Sequence, residues 1–182
     1  ALSFPLWGSR LIEASAGTGK TWTIAALYLR LVLGHGGEDG FQRPLLPADI
    51  LVMTFTRAAT RELSDRIRAR LVEASRCFRG EVPADQVDPM LKDLLAAYPD
   101  EAARSQAAWR LSMAAEGMDE ASVHTIDAWC QRMLREHAFD SGCLFDETLE
   151  PDAEALLTEA AQDYWRQHCY SLSGDELAEV LK

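Results

Sequence analysis

Apolar residues recur along this chain in two kinds of stretch, and their alternation predicts the architecture. Short apolar runs near Arg10–Ala14, Ile50–Met53 and Ala121–His124 each precede a longer segment with apolar positions three and four apart. A short run bounded by turn residues reads as a buried strand, whereas the 3.6-residue period reads as a helix. The helices predicted in this way cover Thr21–Leu33, the segment from Ala58 with Ala59, Leu63, Ile67 and Leu71 on one face, and Ile126–Ala138. Gly34-His35-Gly36-Gly37 stops the first of them. Pro83, Pro89 and Pro99 break the middle of the chain, with further helices over Met90–Tyr98 and Ala102–Ala115. Strand followed by helix, repeated, predicts an α/β fold with a parallel sheet and flanking crossover helices.

Asp140-Ser141-Gly142 reads as a boundary, dividing the chain into domains 1–142 and 143–182. Beyond it Leu156, Leu157, Ala160, Ala161, Tyr164 and Trp165 form a broad apolar helical stripe. Ser173-Gly174-Asp175-Glu176 has capping-box spacing ahead of one more helix.

The first strand–helix junction carries the clearest chemistry. Ala14-Ser15-Ala16-Gly17-Thr18-Gly19-Lys20-Thr21 has P-loop spacing, with Ala14 where the strict pattern has glycine. Gly17 and Gly19 let the backbone curl so that its N–H groups and the helix N-terminus face a phosphate. Lys20 is placed on the β- and γ-phosphates of ATP, stabilising the transferring group, and the Thr21 hydroxyl on Mg²⁺. The second junction, Thr54-Phe55-Thr56-Arg57, puts an aromatic ring and two hydroxyls at the carboxyl end of a strand, the ligand side of an α/β sheet. Phe55 there is either a base-stacking ring or a packed core aromatic. Arg57 is the arginine placed near phosphate; most of the others that follow it read as a solvated helix face. Val123-His124-Thr125-Ile126 passes from strand to helix again, with a threonine at the switch.

These three ordered segments resemble motifs I, Ia and Ib of superfamily 1 helicases of the UvrD/Rep type, and the helicase–nucleases of exodeoxyribonuclease V among them. The residues concerned are Leu11 to Thr21, the Thr54-Phe55-Thr56-x-Ala58-Ala59-x-x-Glu62-Leu63 run, and Thr125-Ile126 leading into Trp129-Cys130-Gln131-Arg132. Alanine is common at the first motif-I position of that family, so Ala14 fits it. The resemblance implies a RecA-like ATP-binding domain followed by the start of a helical subdomain. It implies ATP-driven 3′-to-5′ translocation on single- and double-stranded DNA in break repair and recombination, a nuclease domain elsewhere, and gamma and alpha partner subunits. Thr54, Phe55, Thr56 and Thr125 match positions that touch single-stranded DNA. Two residues depart from the family: Asp127 stands in place of a histidine, and Trp7 lies where related proteins carry an adenine-reading glutamine.

Composition adjusts this reading in a few places. The net charge of −11 argues against a nucleic-acid partner when taken alone, although the arginines crowd the segment after Thr56. No apolar run reaches membrane-spanning length, and no charged secretory start precedes one, which predicts a cytoplasmic protein. The four cysteines are scattered, as reduced thiols are; a zinc site with His124, His137 or His168 is the minor alternative. Leu144-Phe145-Asp146-Glu147 imitates a Walker B strand, but only two apolar residues precede its acids. The family's Walker B acid, arginine finger, second RecA-like domain and nuclease are expected after residue 182, so the 182-residue piece alone is expected to bind nucleotide weakly and hydrolyse none. A non-motor P-loop protein and a degenerate, partner-binding copy remain the alternatives.

Overall fold

The computed structural model describes residues 1–15, 17–142 and 153–181. Its contacts divide the chain into two compact units, Ala1–Met133 and Leu134–Lys182. The first unit is built on α1 (Lys20–Leu33), β1 (Val52–Thr54), α2 (Arg57–Phe78), α3 (Pro89–Ala96), α4 (Glu101–Glu116) and β2 (Val123–Thr125), and the chain then enters α5 (Ile126–Glu136). The strands pair in parallel with Val52 opposite Val123, Met53 opposite His124 and Thr54 opposite Thr125. Both carboxyl ends, with the helix starts that follow them, therefore lie at one edge of the sheet.

Local chemistry sets the helix limits. Gly34 closes α1 in the left-handed conformation, φ 65°, with His35 N–H donating to the Arg30 carbonyl at 2.9 Å. A β-carbon on Gly34 would stand 2.9 Å from Pro44 Cγ, so the closing turn needs glycine for its conformation and for its space. Asp88 starts α3 by accepting from the N–H groups of Met90 and Leu91, with Pro89 in the first helical position. Hydrophobic burial then holds the helices together. Leu29 and Val32 of α1, Ile67, Leu71 and Ala74 of α2, Leu91 and Leu94 of α3, and Ala107 and Leu111 of α4 are all excluded from water.

The first expected strand is not there. Residues 10–14 have no strand partner among the described residues, and Leu11 and Ile12 are 82% and 44% exposed. A strand exists only through a neighbour's hydrogen bonds, and two apolar residues bury too little to hold one. The other strands begin two residues later than expected, since the parallel ladder consists of the pairs from Val52–Val123 to Thr54–Thr125, while Ile50 packs in the core ahead of it.

The second unit contains α6 (Ala138–Ser141), α7 (Glu154–His168) and α8 (Gly174–Val180). The capping box forms, with Ser173 N–H donating to Glu176 Oε2 at 2.9 Å. The α7 stripe stands open, Leu156 and Leu157 both exposed. Among the described residues no helix is long and apolar enough to cross a membrane.

Candidate functional site

The loop before α1 owes its course to two glycines. Gly17 and Gly19 hold φ at 78° and 83°, where a side chain is strained, and nothing lies within 4 Å of either β-carbon position. The requirement is thus conformational, and the loop is open to solvent: Ser15, Gly17, Thr18, Gly19 and Lys20 are exposed and Ala14 is half-buried. Ala16 lies outside the described residues. Lys20 Nζ donates to the Ser15 carbonyl at 2.7 Å and to the Ala14 carbonyl at 3.3 Å, while Thr18 Oγ1 donates to Ser15 at 2.7 Å. The ammonium therefore arches back over the loop that it would serve.

A comparison of helix starts shows what this loop can hold. Every helix leaves its first N–H groups without an internal acceptor. Thr56 caps α2 by accepting from Ala59 N–H, Asp88 caps α3, Asp100 caps α4 through Ala103 N–H, and Thr125 caps α5 through Ala128 N–H at 3.2 Å. Helix α1 has no side-chain cap and no acid in its first turn, whereas α7, which also lacks a side-chain cap, carries Glu154 there. Its start combines uncapped N–H donors, the positive end of a helix dipole, an ammonium group and the Thr21 hydroxyl. These residues fit a polyphosphate with Mg²⁺.

Behind the loop, Trp22 lies over a buried cation that the sequence reading left among solvated residues. Arg70 is 8% exposed, its Nη1 meeting Glu73 at 2.7 Å and its Nη2 meeting Asp88 at 2.9 Å. Its Cζ lies 5.7 Å from the Trp22 ring centroid. Burial opposes both charges of the pair. The guanidinium outweighs it at Asp88, together with the N–H groups of Leu91 and Met90, and holds that carboxyl below its usual value. The acids outweigh it at Arg70, whose pKa rises. A cavity of about 240 Å³ bounded by Thr21, Trp22, Arg66 and Arg70 separates the first turn of α1 from α2. Only Glu73, three residues on, is a local partner of Arg70; Trp22 and Asp88 are distant along the chain, so the local sequence does not mark its burial.

At the sheet edge, the register brings Thr54 and Thr125 side by side. The Thr54 and Thr60 hydroxyls lie 2.6 Å apart, Thr54 Oγ1 also donates to the Thr56 carbonyl, and Thr56 and Thr125 serve as caps. These hydroxyls thus shape the turns into α2 and α5. The groups left free of that work are Phe55, 88% exposed, and Arg57, also exposed, so the Phe55 ring is not a core aromatic. Beside them His124 stacks on Trp129 with centroids 5.8 Å apart, and Arg132 Cζ lies 6.0 Å from the Trp129 centroid. The i, i+3 spacing of Trp129 and Arg132 was the available sequence signal for this stack. Asp127 is exposed in the first turn of α5, a place where the helix dipole favours an acid. Trp7, 53% exposed, carries Arg10 Cζ 4.7 Å from its ring centroid. The Leu144-Phe145-Asp146-Glu147 segment lies outside the described residues. Among those described, no cluster of three or more His, Cys, Asp or Glu stands ready for a metal ion.

Comparison with known proteins identifies the family. The family described as UvrD/REP helicase N-terminal domain matches residues 2–180. The RecBCD enzyme subunit RecB of Escherichia coli is 50% identical over 181 residues, which is 99% of this chain and 15% of that protein. The subunit of the same name from Haemophilus influenzae is 42% identical over 172 residues, 94% of this chain and 14% of the relative. That from Mycobacterium tuberculosis is 31% identical over 155 residues, 84% of this chain and 13% of the relative. The chain thus spans about 15% of the length of the curated relatives it matches. With a mostly helical α/β fold and a small parallel sheet, the chain belongs to the UvrD/REP helicase family through its N-terminal domain.

Proposed function

We propose that this chain is the ATP-binding part of an ATP-dependent DNA helicase and exonuclease subunit that acts in double-strand-break repair and recombination. The observation that carries the reading is the uncapped start of α1 beneath Lys20, set beside helices capped by their own side chains. Residues 1–142 are the RecA-like domain and residues 143–182 the beginning of a helical subdomain. Ala14 to Thr21 bind the phosphates, Lys20 stabilises charge on the transferring group, and Thr21 holds Mg²⁺. Bound ATP supplies the phosphoryl group whose hydrolysis drives 3′-to-5′ translocation. Phe55 stacks on a base of single-stranded DNA, Arg57 meets a phosphate, and Thr54, Thr56 and Thr125 present the backbone turns beneath them. Duplex DNA, gamma- and alpha-type partner subunits and a cytoplasmic site of action complete the reading, which the resemblance to RecBCD subunits supports.

The test is ATP hydrolysis by the full-length subunit with and without single-stranded DNA. Stimulation by DNA, lost in Lys20→Ala while the fold is retained, is the expected result. Turnover within a few-fold of the parent would remove Lys20 from the mechanism. Hydrolysis that ignores DNA would favour a non-motor P-loop protein instead.

A further inference from the structure

Only Phe55 and Thr56 link β1 to α2, and one side chain outside that link ties both of its ends. The Thr60 hydroxyl lies 2.6 Å from that of Thr54, the last residue of the strand. It also lies 3.1 Å from the carbonyl of Thr56, the cap of the helix. Thr54 Oγ1 reaches the same carbonyl at 3.1 Å, and Thr60 N–H donates to it at 3.0 Å. Two hydroxyls have two protons for these three contacts. At 2.6 Å the oxygens need a proton between them, so one proton bridges the hydroxyls and the other goes to the Thr56 carbonyl. Either hydroxyl can take either part, and the closure is the same.

A threonine early in a helix often bonds the carbonyl four residues back, and that contact alone concerns only the helix. The strand hydroxyl changes its meaning, because the closure then runs from α2 to β1 across Phe55. The Phe55 ring is 88% exposed, so packing does not aim it. Its direction comes from the backbone on either side. Thr60 itself is half-buried, and its hydroxyl is engaged within the protein. We propose that Thr60 is a positioning residue for the single-strand contact: through Thr54 and Thr56 it fixes the turn that presents Phe55 to a base. The inference rests on the reading of Phe55 as a base-stacking group. A ring that must be ordered on binding loses affinity, and a turn already held in the bound shape avoids that loss. The hydroxyl does this and the bulk of the side chain does not. Valine, with the shape of threonine but no donor, therefore cannot replace Thr60, whereas serine can.

A double-mutant cycle on the binding of a single-stranded oligonucleotide by the full-length subunit tests it. Thr60→Val is expected to weaken binding about fivefold when Phe55 is present, and to add nothing in the Phe55→Ala background. Thr60→Ser should bind like the parent. If Thr60→Val does not fold, Thr60→Ala, which a helix tolerates well, carries the same comparison. A loss of equal size in both backgrounds would mean that the hydroxyl only supports α2, and would overturn the proposal. Unchanged binding in Thr60→Val, or failure of serine to restore it, overturns it too. If Phe55→Ala by itself leaves binding unchanged, the stacking reading falls and the proposal falls with it. The two failures are thus read from different variants.

Discussion

Phe55 concentrates the functional question in one side chain. Its ring is 88% exposed at a strand end, so removing it should disturb little of the core. Phe55→Ala is expected to weaken single-strand binding by roughly 1–3 kcal/mol. A core phenylalanine would instead cost about 3–5 kcal/mol of folding stability. A binding titration and a melt on the same variant separate these outcomes, and a large melt shift with unchanged DNA affinity sinks the stacking role. A second residue-scale effect lies at the other end of α1. Arg30 is fully buried, its Nη1 donating to the carbonyls of Ala1 and Phe4 and its Nε to His35 Nδ1 at 3.4 Å. Burial, and then the Arg30 charge, push the His35 pKa below its usual value. The unfolded chain therefore binds a proton first as pH falls below about 6.5, and stability declines from there until the folded histidine titrates as well. Denaturant midpoints at pH 7.5 and pH 5.5 should show this decline, and His35→Gln should reduce it. An equal decline in the variant would exclude His35 as its source.

Among the elements, the turns into α2 and α5 are the most informative. Thr56→Ala removes the acceptor for Ala59 N–H and is expected to cost about 1 kcal/mol of stability, which Thr56→Ser restores. Urea unfolding checks it; lost DNA affinity with an unchanged midpoint would make the hydroxyl a ligand group rather than a cap. The same threonines show where sequence stops being legible. A hydroxyl at a strand-to-helix junction suits a bound phosphate and a helix cap equally well, and the ladder and hydrogen bonds decide between them. Gly34, the break at Pro89 and the Ser173–Glu176 box could be read directly, because each acts within its own few residues, whereas the Asp88 cap of α3 was not read. The P-loop was legible for the same reason. Residues 10–14 were not, since a strand depends on a partner that its own residues do not name. Arg70 and Arg30 escaped too: each is buried by groups remote in sequence, and an arginine in an arginine-rich stretch looks like all the others.

For the whole molecule, net charge and local contact act in opposite directions. The net charge of −11 opposes DNA at long range, so the DNA affinity proposed above would have to come from local contact at the Phe55 and Arg57 edge. Helix α1 starts at the phosphate loop and contributes Leu29 and Val32 to the core.

Because that helix is both uncapped at its start and central to the packing, its free N–H groups have a thermodynamic consequence. A polyanion that satisfies them does so only when the chain is folded, so ligand and folding are linked by mass action. Inorganic tripolyphosphate at about a hundred times its dissociation constant should add roughly 2.7 kcal/mol to the stability of the first unit, whereas adenosine should add far less. A melting series with the two compounds at equal concentration reads this directly, and a shift with adenosine but none with tripolyphosphate would mean that the base provides the grip instead of the phosphates. With the larger shift from tripolyphosphate, the phosphates would act as a missing half-turn of α1, supplied by the nucleotide at each binding and withdrawn at each release.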